Sequence, residues 1–186
     1  MDHRIEVGDP LISAEQIKRR VHELAASINA DYESSPRPLS VVVVLKGACF
    51  FAIDLVRHLT LHTRMDFLQA SSYNGMGSTG EVRLVSDITM PIGGTDVLIV
   101  EDIVDTGLTA SWLSGHLASH AAASVRLCTL LDKPAARRVP VEIHYCGFTI
   151  PEAFVLGYGL DYEEGYRNLP GIHVARTIPQ AITPDR

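Results

Sequence analysis

The chain has 186 residues, a length suited to one domain with a sizeable core. Apolar residues make up 46% and charged residues 20%, the balance of an ordinary soluble globular chain and not of a disordered tail, a collagenous repeat or a coiled coil. The formal net charge of −6 weighs against a protein that coats nucleic acid by bulk charge. No apolar run approaches the roughly 18 residues of a membrane span, and the longest purely aliphatic one, Val41 to Leu45, stops at Lys46. Met1 to Pro10 mixes Asp2, Arg4, Glu6 and Asp9 and holds no apolar stretch, so no secretory signal is expected. Cys49, Cys128 and Cys146 are widely spaced and form neither a C-x-x-C pair nor a zinc knuckle. Reduced thiols in a cytoplasmic protein are the simplest expectation.

In chain order, Ser13 and Gln16 stand three apart, as in a capping box at a helix start. Ile17, Val21, Leu24, Ala25 and Ile28 follow with helical spacing, and Pro36 and Pro38 close that segment. Leu39 to Leu45 is an apolar, β-branched run suited to a strand buried on both faces, as in a parallel sheet. Ala48 to Leu59 reads as a helix with Phe51, Leu55 and Leu59 on one face, and Arg64 to Ala70 as a strand. Ser71 to Gly80 is rich in Gly, Ser and Asn and reads as a loop, and Val82, Leu84 and Ser86 alternate as an extended return. A turn at Pro91 and Gly93-Gly94 leads into a second buried strand, Val97 to Val100. Thr109 to Ala123 has a helix's composition, and Val125 to Leu131, Val141 to Cys146 and Phe154 to Leu156 are further strands. The repeating strand–helix order predicts an α/β fold with a mostly parallel sheet, with no repeat or linker to divide the chain.

The most informative segment follows the second buried strand: Glu101-Asp102-Ile103-Val104-Asp105-Thr106-Gly107-Leu108-Thr109. Open α/β sheets bind ligands at the carboxyl ends of their strands. A turn opening a helix there presents free N–H groups that favour a phosphate. Gly107 lets backbone approach closely, and Thr106 and Thr109 add hydroxyls. Glu101 and Asp102 can accept from sugar hydroxyls or hold hydrated Mg²⁺. Asp-Thr-Gly is by itself a common turn and cap. Two adjacent carboxylates at the end of a buried strand are costly as mere structure, so the segment is assigned to a phosphorylated sugar.

These residues resemble the phosphoribosyl-diphosphate motif of the type I phosphoribosyltransferases, in particular their hypoxanthine-guanine branch. Val44-Leu45-Lys46-Gly47 resembles the family's pyrophosphate loop, and Ser72-Tyr73 with the Gly-rich stretch after it resembles the mobile catalytic loop. Leu131-Asp132-Lys133-Pro134 stands where the family has its purine-contacting lysine. Phe154 to Tyr162 and Tyr166-Arg167-Asn168-Leu169-Pro170 resemble its base-binding segment and C-terminal loop. The likeness spans roughly residues 40 to 170 in the family's order, and order with matching context is what gives motifs weight.

The resemblance implies a central, mostly parallel five-stranded sheet flanked by helices, with a small hood. The core would span roughly 36–140 of a single 1–186 domain, and the hood would draw on the N-terminal segment and roughly 141–186. The implied reaction moves a 5-phosphoribosyl group to a 6-oxopurine, giving IMP or GMP and pyrophosphate in purine salvage, with Mg²⁺. Asp105 is the implied acid/base at purine N7, with Ser72 and Tyr73 closing over the reacting centre. Phosphoribosyl diphosphate would lie on Leu45, Lys46 and Gly47, on Glu101 and Asp102, on the Asp105, Thr106, Gly107, Leu108 and Thr109 turn, and on Arg167. Lys133, Phe154, Val155 and Asp161 would hold the purine, with Glu101, Asp102 and Asp161 toward metal. The family also implies a Leu45–Lys46 peptide that can be cis, and a homodimer or homotetramer. Leu108 departs from members with lysine there, which leaves the phosphate to backbone donors.

Competing patterns are weaker. Gly75 to Gly80 is a literal G-x-G-x-x-G, but Glu81 to Thr89 alternates like a strand where a dinucleotide site needs a helix. His58/His62 and His116/His120 lie four apart without the Glu of H-E-x-x-H, and read as solvated helix faces. Cys49 and Cys128 read as core. A regulator that binds phosphoribosyl diphosphate without turnover would be expected to add a basic face or DNA-binding segment, and none is seen. Lys133 favours 6-oxopurines over uracil or adenine without ranking hypoxanthine, guanine and xanthine.

Overall fold

A computed structural model describes residues 4–72 and 82–178. Strand β1 (Arg4–Ile12) leads into helix α1 (Ala14–Tyr32), which starts as its spacing predicts. The Ser13 hydroxyl accepts from the Gln16 N–H at 3.2 Å, and the Gln16 side chain accepts from the Ser13 N–H at 2.8 Å. Two otherwise unpaired helix-start donors are thereby satisfied. The apolar stripe from Ile17 to Ile28 is buried. Then come β2 (Leu39–Leu45), α2 (Cys49–Val56), β3 (Thr63–Ser72), β4 (Val82–Ser86) and β5 (Asp96–Val104). They are followed by α3 (Leu108–Ala118), β6 (Ser124–Asp132), β7 (Tyr145–Thr149), β8 (Val155–Leu156) and β9 (Ile172–Ile178).

The main sheet runs β4-β3-β2-β5-β6-β7. Its five strands from β3 to β7 in that order are parallel, and β4 adds an antiparallel edge. Side chains alternate across the sheet, as strand geometry requires. Val41, Val43, Leu98 and Val100 pack on the side of α1 and α2, while Val42, Val44, Val97 and Ile99 pack with Ala110, Leu113 and Leu117 of α3. Both faces are covered, which is why β2 reads as an apolar run from Val41 to Leu45. Among the described residues, no helix is long and apolar enough to cross a membrane.

Several boundaries differ from those the sequence suggests. β5 continues past Val100 to Val104 because β6 pairs with it throughout, Glu101 opposite Thr129 and Val104 opposite Asp132. The acidic pair therefore lies within the strand. α3 stops at Ala118, and the chain turns back through Ala121 at φ 58. β7 is displaced to 145–149 and belongs to the main sheet, so the expected core limit near 140 is corrected. The hood is a second sheet, β1-β9-β8, all antiparallel. Cys128 is buried as expected, but Cys49 is only half-buried.

Candidate active site

The carboxyl end of β5 forms the floor of a cavity of about 1120 Å³. Glu101 is 6% exposed, and its Oε2 has no hydrogen-bond partner among the described residues. Burial, with the adjacent Asp102 charge, pushes its carboxyl well above the usual carboxylate range. Burial also raises Asp102 to about 6, although the Ile103 N–H donates to its Oδ1 at 2.9 Å and Arg167 lies near enough to pull it down. Two carboxylates in so little water need cationic or hydroxyl partners. The pair and its unpartnered oxygen suit a hard divalent cation, which takes oxygen ligands, or the hydroxyls of a sugar.

Asp105 is exposed at the cavity, and Thr106 to Ala110 continue its wall into the first turn of α3. Gly107 sits at φ +84, and a side chain there would press within 2.8 Å of Arg137 Cδ and the Val139 carbonyl. Only glycine suits that backbone and that space. The turn is held from behind by the next connection. The N–H groups of Arg138 and Val139 donate to the Thr106 carbonyl at 2.9 and 3.2 Å, and Arg137 Nε donates to the Asp105 carbonyl at 3.1 Å. Arg137 also pairs with Asp132. The first N–H groups of α3 thus face the cavity from a braced turn, the geometry that favours a phosphate.

The opposite wall is the Leu45-Lys46-Gly47 loop, and its Leu45–Lys46 peptide is cis. Gly47 abuts the Asp102 carboxylate so closely that an added Cβ would overlap it. The hood closes this side. Lys46 Nζ pairs with Glu164 at 3.0 Å, and Arg167 pairs with Glu164 at 3.0 Å and Asp161 at 2.9 Å. Arg167 Nη1 also donates to the Gly159 carbonyl at 2.7 Å.

The cavity brings together Leu45, Lys46, Gly47, Glu101, Asp102, the Asp105–Thr109 turn, Asp161 and Arg167. Lys133, Phe154 and Val155 do not line it. Lys133 is 9% exposed and flanks the floor, its N–H donating to the Val104 carbonyl at 2.9 Å. Phe154 is 50% exposed with Tyr162 edge-on at 5.9 Å, and Val155 is buried in β8. Ser72 ends β3, while Tyr73 and the Gly-rich stretch lie outside the described residues. Two residues escaped the sequence reading. Arg138 lines the cavity beside the phosphate turn, and Glu164 bridges Lys46 and Arg167. The one sequence signal is that a turn expected to hold phosphate has Leu108 and no side-chain cation, which says that a cation is missing but not that Arg138 supplies it.

The family model "Phosphoribosyl transferase domain" matches residues 11–163. The chain is similar to the hypoxanthine-guanine phosphoribosyltransferase of Bacillus subtilis, 45% identical over 177 residues, 95% of this chain and 96% of that protein. It is also similar to that of Mycobacterium tuberculosis, 47% identical over 169 residues, 88% of this chain and 84% of that one. A crystal structure of a Bacillus anthracis hypoxanthine-guanine phosphoribosyltransferase, with HEPES in its active site, superposes with a TM-score of 0.87 at 44% identity. That match covers 94% of this chain and all of the other. Fold, order of motifs and likeness along nearly the whole length agree, and the chain belongs to the phosphoribosyl transferase domain family, among its hypoxanthine-guanine phosphoribosyltransferases.

Proposed function

We propose that the chain moves the 5-phosphoribosyl group of phosphoribosyl diphosphate to a ring nitrogen of hypoxanthine or guanine, giving IMP or GMP and pyrophosphate. The carrying observation is that one cavity holds the buried Glu101–Asp102 pair, the braced Asp105–Thr109 turn and Arg167. The α3 turn binds the 5′-phosphate through its N–H groups and threonine hydroxyls. Arg138 supplies the guanidinium that Leu108 does not. Glu101 and Asp102 receive the ribose hydroxyls, and the Lys46 backbone with Arg167 receives the pyrophosphate.

The bond from the anomeric carbon to the pyrophosphate oxygen breaks, and its electron pair leaves with pyrophosphate. The purine nitrogen supplies the new pair. The sugar passes through an oxocarbenium-like state, as in glycoside hydrolysis, which the Asp105 carboxylate favours electrostatically. Asp105 also exchanges the proton at purine N7. Lys133 donates to the purine O6, which disfavours the donor-bearing 6-amino group of adenine. Phe154 stacks on the base, the Val155 backbone reads its edge, and Ser72 and Tyr73 exclude water. Glu101, Asp102 and Asp161 would hold Mg²⁺, whose chemistry when bound is to neutralise charge on the departing pyrophosphate.

The test is a panel of hypoxanthine, guanine, xanthine, adenine and uracil at fixed phosphoribosyl diphosphate and Mg²⁺, with Asp105→Asn alongside. Turnover of hypoxanthine or guanine, lowered about 10²–10⁴-fold in the variant, is expected. No turnover of any base, with phosphoribosyl diphosphate still bound, would make the chain a binding protein. We also propose a cytoplasmic homodimer or homotetramer. Its support is the free state of the three cysteines and the 45% and 40% exposure of Phe50 and Ile53 on α2. Light scattering of the purified chain checks the assembly.

A further inference from the structure

The His116/His120 pair, in the last turn of α3 and just beyond it, is not simply a solvated face. His116 is half-buried against the segment that leaves β4, where its Nε2 lies 3.0 Å from both carboxylate oxygens of Asp87. His120 packs edge-on against His116 with ring centroids 4.8 Å apart. One ligand atom from each of Asp87, His116 and His120 lies within 4.8 Å of the other two. We infer that Asp87, His116 and His120 form a binding site for a divalent transition-metal ion, of the zinc, nickel or copper class.

Three observations carry this. Two imidazoles and one carboxylate are a donor set that suits these ions and not Mg²⁺, which prefers oxygen. The spacing fits as well. Two donors on an ion with bonds of about 2.0–2.1 Å lie about 3.0 Å apart at right angles and about 3.3 Å apart in a tetrahedral site, so His116 Nε2 and Asp87, hydrogen-bonded at 3.0 Å, need shift little for an ion to replace the proton they share, which leaves to solvent. The outer partners are also those that orient metal ligands. His120 Nδ1 lies 3.0 Å from the His116 carbonyl. That oxygen can only accept, so Nδ1 carries the proton and Nε2 keeps a lone pair for a metal. The Ile88 N–H, 2.8 Å from Asp87 Oδ1, fixes the carboxylate. The site is separate from the catalytic cavity, because His116 lies about 12 Å along α3 from Leu108 at about 1.5 Å per residue.

Trp112 is the only tryptophan of the chain, and its ring stacks on His116 with centroids 4.9 Å apart and planes 8° from parallel. It is therefore a built-in reporter. The experiment titrates the full chain with Ni²⁺ or Cu²⁺ and follows Trp112 emission, with Zn²⁺ binding read by calorimetry. The expected result is saturable, one-to-one quenching. His120→Ala, which leaves the Trp112–His116 stack in place, and Asp87→Asn each weaken binding by at least about 10-fold, the smallest loss found when even an outer-shell partner is removed. Millimolar Mg²⁺ leaves the emission unchanged. Transferase turnover by both variants shows that they are folded. Equal metal affinity in the parent chain and both folded variants overturns the assignment. So does the absence of saturable quenching up to about 1 mM metal, an affinity no better than about 4 kcal/mol.

Discussion

A Cβ at residue 47 would overlap the Asp102 carboxylate, so the identity of one small residue fixes where a charged one stands. Gly47→Ala must displace Asp102 or the loop itself. If Asp102 receives the ribose hydroxyls as proposed, a shift of about 1 Å there costs about 10²-fold in rate. That loss is expected in kcat/KM for phosphoribosyl diphosphate, measured by steady-state kinetics, with a folded protein by circular dichroism. Arg138 gives a second prediction. It lines the cavity beside a turn whose own sequence has Leu108 where a cation could stand. A charge-assisted hydrogen bond contributes about 1.5–3 kcal/mol, so Arg138→Ala should raise KM for phosphoribosyl diphosphate at least about tenfold. kcat should move little, and Arg138→Lys should recover part of the loss. An unchanged KM would remove Arg138 from the phosphate site. These two residues mark how far a sequence can be read. Glu101 to Thr109 were legible because they are consecutive and end a buried strand. Arg138 was not, because its place beside Thr106 depends on a backbone hydrogen bond between two connections of the sheet.

At the scale of elements, Asp66 shows a carboxylate used as a fastener. It is 8% exposed in β3 and accepts from the N–H groups of Thr89 at 2.6 Å, Met90 at 2.8 Å and Phe67 at 2.8 Å. It thereby pins the segment between β4 and β5 to the sheet. Burial alone would raise its pKa, but the Met90, Phe67 and Thr89 bonds win and hold it below the usual aspartate value. Between the folded and unfolded values the unfolded chain binds more protons, so stability rises with pH there. The contribution is complete above the unfolded value of about 3.9 and is lost as pH falls through the folded one. Asp66→Asn should cost about 1–3 kcal/mol near neutrality, lowering Tm by about 2–4 °C per kcal/mol. The difference from the parent should narrow as pH drops below about 4. A gap that stays constant with pH would mean that charge plays no part. Elements with a clear period, such as α1 and β2, were legible in the sequence, and β1 and β9 were not. Gly8 and Pro10 interrupt the alternation of β1, and its pairing with β9 shifts register between Val7 and Pro10 and again before Ile12. A bulged edge strand loses the period by which strands are recognised.

For the molecule as a whole, the question is what holds the hood against the main sheet where substrate must enter. Lys46 on the sheet side and Arg167 and Asp161 on the hood side are linked through Glu164. The turn that presents Glu164 places Glu163, Glu164 and Tyr166 at φ 48, 63 and 68. An Asp161 oxygen accepts the Glu164 N–H at 2.9 Å and supports that backbone. No sequence pattern announces such a turn, because non-glycine residues seldom adopt it. Glu164 thus occupies Arg167, the cation that in the proposed reading receives the diphosphate, and ties it to the Lys46 side chain of the opposite loop. Ion pairs this exposed contribute little to stability, so the arrangement acts on binding more than on folding. Glu164→Gln should leave Tm within about 1 °C. It should lower KM for phosphoribosyl diphosphate on the order of threefold, with kcat unchanged, because the anionic substrate no longer competes with a carboxylate for Arg167. Screening distinguishes this from a packing effect. At about 1 M salt the Debye length falls to about 3 Å, and the advantage of the variant should shrink toward zero. A KM that rises in Glu164→Gln would instead assign Glu164 the task of aiming Arg167 at the diphosphate.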